Sequence, residues 1–231
     1  GVLTLVYSGF PPPLVMLKQG IMDAFPSLPA ENPGSKWPKT SLGCLKEGKR
    51  LSPEDLTRLN RICTSFSRAL QGDEDLAVTV DILSIVMFQC CSLETRFCEM
   101  QVELSDAADQ QGGGRRIDEQ PPSAEELACV DGVVGAASRA GYWYFASKDG
   151  NDEKHYRGPH HGVTLVHPLQ CTLTSSTSSS SAAGKPARMP SAAGLPELIE
   201  KFRAAVDEAL PDMYTWFSPA SLHVTIRGLM G

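Results

Sequence analysis

The feature that most constrains the fold is a strand–helix–strand plan that occurs at both ends of the chain. Each copy has a β-branched apolar strand, then a helix with apolar residues at helical spacing, then a second strand that follows a tryptophan-containing loop. The predicted elements are strand 2–10, helix 13–25 and strand 37–45 in the first copy, and strand 162–168, helix 195–210 and strand 221–229 in the second. Two copies of one unit predict an α+β fold of two pseudo-symmetric lobes, each an antiparallel sheet with flanking helices, around a central cleft.

The segments between the two copies extend the predicted lobes and separate them. Ser52 can cap a helix that begins at Pro53. Strands are expected over 76–88, 94–104 and 142–146, and a low-complexity, disordered segment over 174–194. The composition becomes polar and rich in Gly and Pro at about residue 105. We therefore expect a lobe over 1–104, a linker or mobile segment over 105–139, and a lobe over 140–231.

Charge and hydropathy exclude some classes of protein. The 231 residues carry a formal net charge of -6, whereas a protein that coats DNA needs a surplus of Lys and Arg. No uninterrupted apolar run approaches the roughly 20 residues of a membrane span, and the first ten residues lack the features of a secretory signal. The seven cysteines show no C-x-x-C spacing, which is typical of reduced thiols. We expect a soluble, intracellular monomer in the cytoplasm, the nucleus or an organelle.

The segment LHVTIRGL (222–229) carries the strongest candidate for chemistry. Strand alternation sends Leu222, Val224 and Ile226 to one face and His223, Thr225 and Arg227 to the other. Imidazole can move a proton near neutral pH, while hydroxyl and guanidinium groups hold anionic oxygens. A single His and Thr on the solvent side of an edge strand is the alternative. The preceding helix, the loop before the strand and the repeated unit favour a phosphate site.

Two segments resemble the motifs of the two-histidine (2H) phosphoesterases, which include 2',3'-cyclic phosphodiesterases and 2'-5' RNA ligase-like proteins. SPASLHVTIRGL (218–229) resembles their first H-x-T motif, and AFPSLPAENPGSKWPKTSLGCL (24–45) resembles the segment with their second motif, P-H-x-[ST]-L. The resemblance covers 1–104 and, more weakly, 140–231. It implies two histidines as general base and general acid, with Thr or Ser hydroxyls that grip the phosphate, and no metal or cofactor.

The chain departs from that family in two ways. The unit similar to the family's C-terminal half comes first, which a circular permutation with a join near 112–114 would explain. Lys39 stands where the second histidine is expected, with Ser41 at the position of the hydroxyl. An unperturbed lysine is a poor general base at neutral pH, but it can neutralise a phosphate or act as an acid if its pKa is depressed.

Other residues are weaker candidates. Four histidines, namely His155, His160, His161 and His167, lie in KHYRGPHHGVTLVH, but a metal site needs three or four converging ligands. His161 or His167 could instead supply the second imidazole. Aromatic side chains that could stack a base are Tyr7, Trp37, Tyr142, Tyr144 and Trp216, each with a core or cleft-rim position as the alternative.

The sequence therefore predicts a metal-independent phosphodiesterase that acts on a 2',3'-cyclic phosphate, or a related phosphodiester, of a nucleotide or RNA end. His223, Thr225, Lys39 and Ser41 are the predicted catalytic residues, and Arg227, Trp37, Tyr7 and Trp216 the predicted substrate-binding residues. One alternative is a catalytically impaired module that binds the same ligands. Another is a scaffold that binds protein partners and has a vestigial cleft.

Overall fold

The computed structural model describes residues 1–31, 35–71, 78–80, 82–104, 120–139, 141–142, 151–169 and 194–230. The strands are β1 (Val2–Val6), β2 (Lys39–Leu45), β3 (Ile82–Phe88), β4 (Arg96–Glu103), β5 (Gly162–Pro168), β6 (Tyr214–Trp216) and β7 (His223–Met230). The helices are α1 (Pro12–Ala24), α2 (Pro53–Gln71), α3 (Ala124–Ala137), α4 (Glu153–Arg157) and α5 (Gly194–Ala209), and a short 3-10 helix covers Pro219–Ser221. No helix in these ranges is long and apolar enough to cross a membrane.

The strands form two antiparallel sheets, which confirms the predicted α+β class. The three-stranded sheet has the order β1-β2-β6, and the four-stranded sheet has the order β4-β3-β5-β7. Each sheet takes strands from both predicted lobes, since β6 joins the N-terminal strands and β3 and β4 join the C-terminal ones. The boundaries 1–104 and 140–231 therefore do not separate the two sheets.

Helices cover one side of each sheet. Helix α1 begins after Pro11 and packs Leu14, Leu17 and Ile21 against the four-stranded sheet, at a cluster that includes Val224 and Ile226. Helices α2 and α5 pack together against β1 and β2, where Leu59 and Val206 are fully buried. The helix of each repeated unit thus covers the sheet of the other unit, which ties the two sheets into one packed structure.

Side-chain caps start helices α2, α3 and α4. The Asp55 amide donates to Ser52 Oγ (3.1 Å) and the Ser52 amide donates to Asp55 Oδ2 (3.1 Å), so the predicted start of α2 is confirmed. The side chains of Ser123 and Asp152 also cap α3 and α4, where they accept from the amide of Glu126 and from the amides of Lys154 and His155, respectively. Helix α3 lies inside the segment predicted as a linker, and α4 lies in a charged stretch that looks like a loop by composition.

Several predictions fall on residues outside those described. They concern most of the low-complexity segment 174–194, the strand expected over 142–146 after its first residue, the glycines 112–114, and Tyr144. Tyr142, the first residue of that expected strand, is described and exposed, and its amide donates to the Arg139 carbonyl.

Candidate functional site

Strand β7 presents His223 and Thr225 on the side away from helix α1. Val224 and Ile226 are buried in the cluster under α1, with 5% and 0% exposure. Alternation along the strand then turns His223 and Thr225 toward the opposite side, where both line a cleft. The apolar residues of LHVTI therefore hold the strand in place and so position its two polar side chains.

Strand β2 repeats the pairing pattern of β7 over residues 39–43 and 223–227. Lys39 lies opposite Val6 in β1, as His223 lies opposite Pro168 in β5. Ser41 lies opposite Thr4, as Thr225 lies opposite Val166. Immediately after each hydroxyl residue, the register shifts by one, and the extra residues are Leu42 in β2 and Ile226 in β7. Lys39 and His223 are therefore equivalent positions of an internal repeat.

The cleft lies where these two strands approach each other, and it has a volume of about 230 Å³. Its lining residues are Ser35, Lys39, Ser41, Cys91, Ser92, Tyr156, Phe217, His223, Thr225 and Gly228. Among these described residues, Lys39 is the single formal charge at neutral pH and no carboxylate is present. A chain with net charge -6 thus has a cleft with a positive charge, hydroxyl groups and an imidazole, which suits an anionic ligand.

Thr40 connects the two motif strands beneath the cleft. Its side chain is fully buried, and its hydroxyl donates to the backbone carbonyl of His223 at 3.0 Å. The Tyr7 hydroxyl lies 3.0 Å from Thr40 Oγ1 and must be the donor there, because Thr40 has one hydroxyl proton. This chain of hydrogen bonds fixes the spacing between Lys39-Thr40-Ser41 and His223.

The imidazole of His223 is held as a neutral base. Nδ1 lies 2.7 Å from the Ser221 carbonyl, which can only accept, so Nδ1 carries the proton and Nε2 has the free lone pair. Burial lowers the pKa of His223 to about 4; the positive charge of Arg96 acts in the same direction, and the hydrogen bond to Ser221 acts against both. His223 is therefore unprotonated throughout the neutral range.

Lys39 is the cationic counterpart of His223. Burial lowers the pKa of its ammonium group below the ordinary value, which makes Lys39 a better proton donor than an exposed lysine. Its Nζ lies 4.1 Å from the centre of the Trp37 ring, a cation–π distance. Trp37 thus lies beside the cleft as a support for Lys39, and it is absent from the described lining residues.

Arg227 does not lie on the cleft face, contrary to the sequence prediction. The extra residue Ile226 interrupts the alternation, so Arg227 lies opposite Leu165 and Gly228 takes the place on the cleft side. Arg227 is 1% exposed, and its Nη2 donates to the Pro29 carbonyl at 3.1 Å. Its guanidinium therefore supports the loop before β2 and does not reach a ligand in the cleft.

Tyr7 and Trp216 also lie away from the cleft lining. Tyr7 supports Thr40 from below. Trp216 stacks on Tyr214 with ring centres 5.9 Å apart, and its indole nitrogen donates to the Asp207 carboxylate at 2.9 Å. The prediction that these two rings contact a substrate is not met by their placement, because both are engaged within the fold.

The other histidines are dispersed. His160 and His161 stack on Phe88 and Phe97, with ring centres 6.2 and 5.5 Å apart. His167 is buried, with Nδ1 2.9 Å from the Ile82 carbonyl. Neither His161 nor His167 lines the cleft, so neither supplies a second imidazole there. Within the described ranges, no three His, Cys, Asp or Glu side chains are grouped so that they could hold a metal.

Sequence reasoning missed several residues of the cleft wall. Tyr156 comes from the short helix α4, and its ring lies 5.2 Å from that of Phe217. Ser92 and Cys91 come from the turn between β3 and β4, and Ser35 from the loop before β2. Phe217 could have been found from the sequence, because it directly follows Trp216, the tryptophan of the second unit. The others reach the cleft through tertiary packing, which no local pattern records.

Comparisons of the chain with models of protein families, with curated proteins and with solved structures find no match.

Proposed function

We propose that the cleft binds and hydrolyses a phosphodiester, with the 2',3'-cyclic phosphate of a nucleotide or RNA end as the substrate class. The observation that carries the proposal is the equivalence of β2 and β7. It brings a neutral imidazole, a cation and two hydroxyl groups from equivalent positions into one cleft without a carboxylate among its described lining residues. The resemblance of the two motif strands to those of the 2H phosphoesterases supports the same reaction class.

Each of the four side chains has one task in the proposed reaction. His223 Nε2 takes a proton from water as the water oxygen forms a bond to phosphorus. The bond from phosphorus to one ring ester oxygen breaks, and the Lys39 ammonium gives that oxygen a proton. The hydroxyls of Thr225 and Ser41 donate to the other phosphate oxygens, whose charge grows in the transition state. Product release and proton exchange with solvent restore neutral His223 and charged Lys39.

An aromatic wall supports a nucleoside as the rest of the substrate. Tyr156 and Phe217 both line the cleft, and they are in ring contact with each other. A flat, uncharged base can pack on such a wall, which is worth roughly 1–3 kcal/mol for one stacked base. A phosphodiester without an aromatic group would leave this wall unused.

A second candidate is a module that binds the same ligand without cleaving it. The observation in its favour is Lys39 itself, since a cation stands where the equivalent position of the other unit has an imidazole. A permanently charged lysine would hold phosphate and donate no proton. The lowered pKa of Lys39 favours the hydrolase.

Hydrolysis of 2',3'-cyclic nucleotides by the purified chain tests the proposal. We expect turnover that His223→Ala removes and that His161→Ala, a histidine outside the cleft, leaves unchanged. The rate should rise with pH through about 4, where His223 loses its proton, and fall at alkaline pH as Lys39 loses its own.

The same variants separate the alternatives. Absence of turnover together with a rise in melting temperature on adding nucleotide would contradict hydrolysis and support the binding module. Absence of both would contradict any phosphate site in the cleft, and would leave a scaffold that binds protein partners.

A further inference from the structure

The turn that leads into β4 contacts the segment that leads into β7. The Ser218 amide donates to Glu94 Oε1 at 2.9 Å, and Arg96 Nη2 donates to the Ala220 carbonyl at 3.0 Å. Strands β4 and β7 are at opposite edges of the four-stranded sheet. Glu94 and Arg96, at the start of β4, thus hold the two residues that flank Pro219. These residues belong to the segment, including the 3-10 helix, that precedes β7.

The segment held in this way sets the orientation of His223. Ser221 provides the carbonyl that accepts from His223 Nδ1 at 2.7 Å, and its own hydroxyl donates to the Ser218 carbonyl at 2.8 Å. The position of that carbonyl decides which ring nitrogen carries the proton and where Nε2 points. A shift of the segment 218–221 would therefore move the reactive nitrogen.

Glu94 and Arg96 are themselves fixed by further bonds. Arg157 donates to both carboxylate oxygens of Glu94, at 2.7 and 3.1 Å, and Ser92 Oγ donates to the same carboxylate at 3.0 Å. Arg96 donates from Nε to the Leu93 carbonyl at 2.9 Å and pairs with Glu99. Charge-assisted bonds of this kind are stronger than neutral ones and restrict geometry.

We propose that Glu94 and Arg96 are positioning residues for His223, which grip the segment 218–221 and thereby fix the tautomer and direction of the imidazole. The inference rests on the proposed function for its effect on turnover, whereas the effect on the ring does not depend on turnover. Glu94 is also connected to the cleft wall, because its partner Arg157 directly follows the lining residue Tyr156 in helix α4. One ion pair therefore links the aromatic wall to the segment that orients the base.

The charges around His223 lead to a pH readout. The positive charge of Arg96 from β4 disfavours a protonated imidazole, and Lys39 from β2 is the cation that shares the cleft with His223. Besides His223 and Lys39, the titratable side chains of the described cleft wall are Tyr156 and Cys91, and burial raises the pKa of the Cys91 thiol. Glu94 and Glu99 are paired with Arg157 and Arg96. Removal of Arg96 takes away the positive charge that disfavours the imidazolium and leaves Glu99 without its ion-pair partner, so the pKa of His223 should rise.

Nitrogen-15 NMR of histidine in the full chain tests the proposal. The signals to follow are the Nδ1 proton of His223, assigned by its loss in His223→Ala, and the pH at which the ring titrates. We would compare Arg96→Gln, Arg96→Lys, Glu94→Ala and Glu94→Gln with Asp212→Asn. This control removes a carboxylate that pairs with Lys46 and Lys49 on the surface, away from the cleft.

We expect Arg96→Gln and Glu94→Ala to broaden or remove the Nδ1 proton signal, and Arg96→Gln to raise the pKa of His223. Glu94→Gln keeps an oxygen for the Ser218 amide and Arg96→Lys keeps the charge, so each should retain more of the parent signal. In turnover, the two disruptive variants should lose roughly 10- to 100-fold in kcat with little change in KM.

An unchanged Nδ1 signal and titration in folded Arg96→Gln and Glu94→Ala would overturn the positioning role. Were Glu94→Ala to unfold, Glu94→Gln and Arg96→Lys would decide, because a purely structural role predicts no graded loss of the Nδ1 signal in them. Failure of the proposed hydrolysis would appear as absence of turnover in the parent protein with an intact Nδ1 signal. That result is distinct from an unchanged signal in the variants.

Discussion

Strands β2 and β7 have the same backbone plan but carry different chemistry. In each strand, a polar residue is followed by a residue that faces away from the cleft, then by a hydroxyl residue and then by one extra residue. Both motifs pair with their partner strands in the same register. The polar residue is Lys39 in β2 and His223 in β7. The backbone of the repeat thus brings two equivalent positions to one cleft, where one strand carries a cation and the other a neutral imidazole.

The residues that face away from the cleft differ as well. Val224 in β7 packs under helix α1, whereas Thr40 in β2 is a buried polar residue that bonds across to β7. The residue after the extra one is Gly43 in β2 and Arg227 in β7. A side chain at Gly43 would have to displace the Thr215 carbonyl and the Trp216 ring, each 2.6 Å from its Cβ. The two strands therefore differ at these two positions, where each contacts other parts of the fold.

Replacement of Lys39 should have the largest effect on turnover. It directly tests the proposal that Lys39 gives a proton while His223 takes one. Lys39→Ala should lower kcat about 100-fold or more, because a general acid contributes roughly 10²- to 10⁴-fold. Lys39→His should restore most of that loss and move the alkaline limit of the rate to lower pH, since an imidazole loses its proton earlier. Steady-state rates across the pH range measure both. Equal rates for the parent and Lys39→Ala would contradict a role for the lysine.

The paired hydroxyls should have the next largest effect. Ser41→Ala and Thr225→Val each remove one donor to the phosphate, and we expect roughly 10- to 100-fold lower kcat/KM for each. Thr57→Val, an exposed hydroxyl on helix α2, serves as the control. A loss in only one of the two variants would show that the repeat is symmetric in backbone but not in phosphate contact.

Thr40→Val should affect stability more than chemistry. The change leaves the His223 carbonyl and the Tyr7 hydroxyl without their buried partner, which costs about 1–3 kcal/mol in the free energy of unfolding. Urea unfolding of Thr40→Val, Tyr7→Phe and the double variant measures this. Effects that simply add would contradict the connected chain of hydrogen bonds, since linked groups are expected to be non-additive.

These residues also show what the sequence could predict. Alternation along β7 and the repeated unit place His223, Thr225, Lys39 and Ser41 in one cleft, because all four precede the register shift in their strands. Arg227 follows the shift at Ile226, and an extra residue in a strand leaves no mark on the hydrophobic pattern. Tyr156 and the bond from Thr40 to His223 depend on contacts between distant segments, which local patterns do not contain.

Arg227→Met should have the smallest effect. Within the described residues, Nε and Nη1 of this buried guanidinium have no hydrogen-bond partner, so an apolar side chain of similar length should change the free energy of unfolding by less than about 1 kcal/mol or raise it. Turnover should stay within a few-fold of the parent. A selective loss of substrate affinity in a folded Arg227→Met variant would contradict this placement and would indicate that Arg227 contacts the ligand.

The claim that Lys39 and His223 act on one phosphate is tested most directly by a double-mutant cycle. The rates to measure are those of 2',3'-cyclic nucleotide hydrolysis by the parent, Lys39→Ala, His223→Ala and the double variant. Two groups that work in one transition state should be strongly non-additive, so the double variant should be no slower than the slower single variant. Losses that multiply, with the double variant slower by the product of the two single effects, would show that the two residues act independently and would contradict the account.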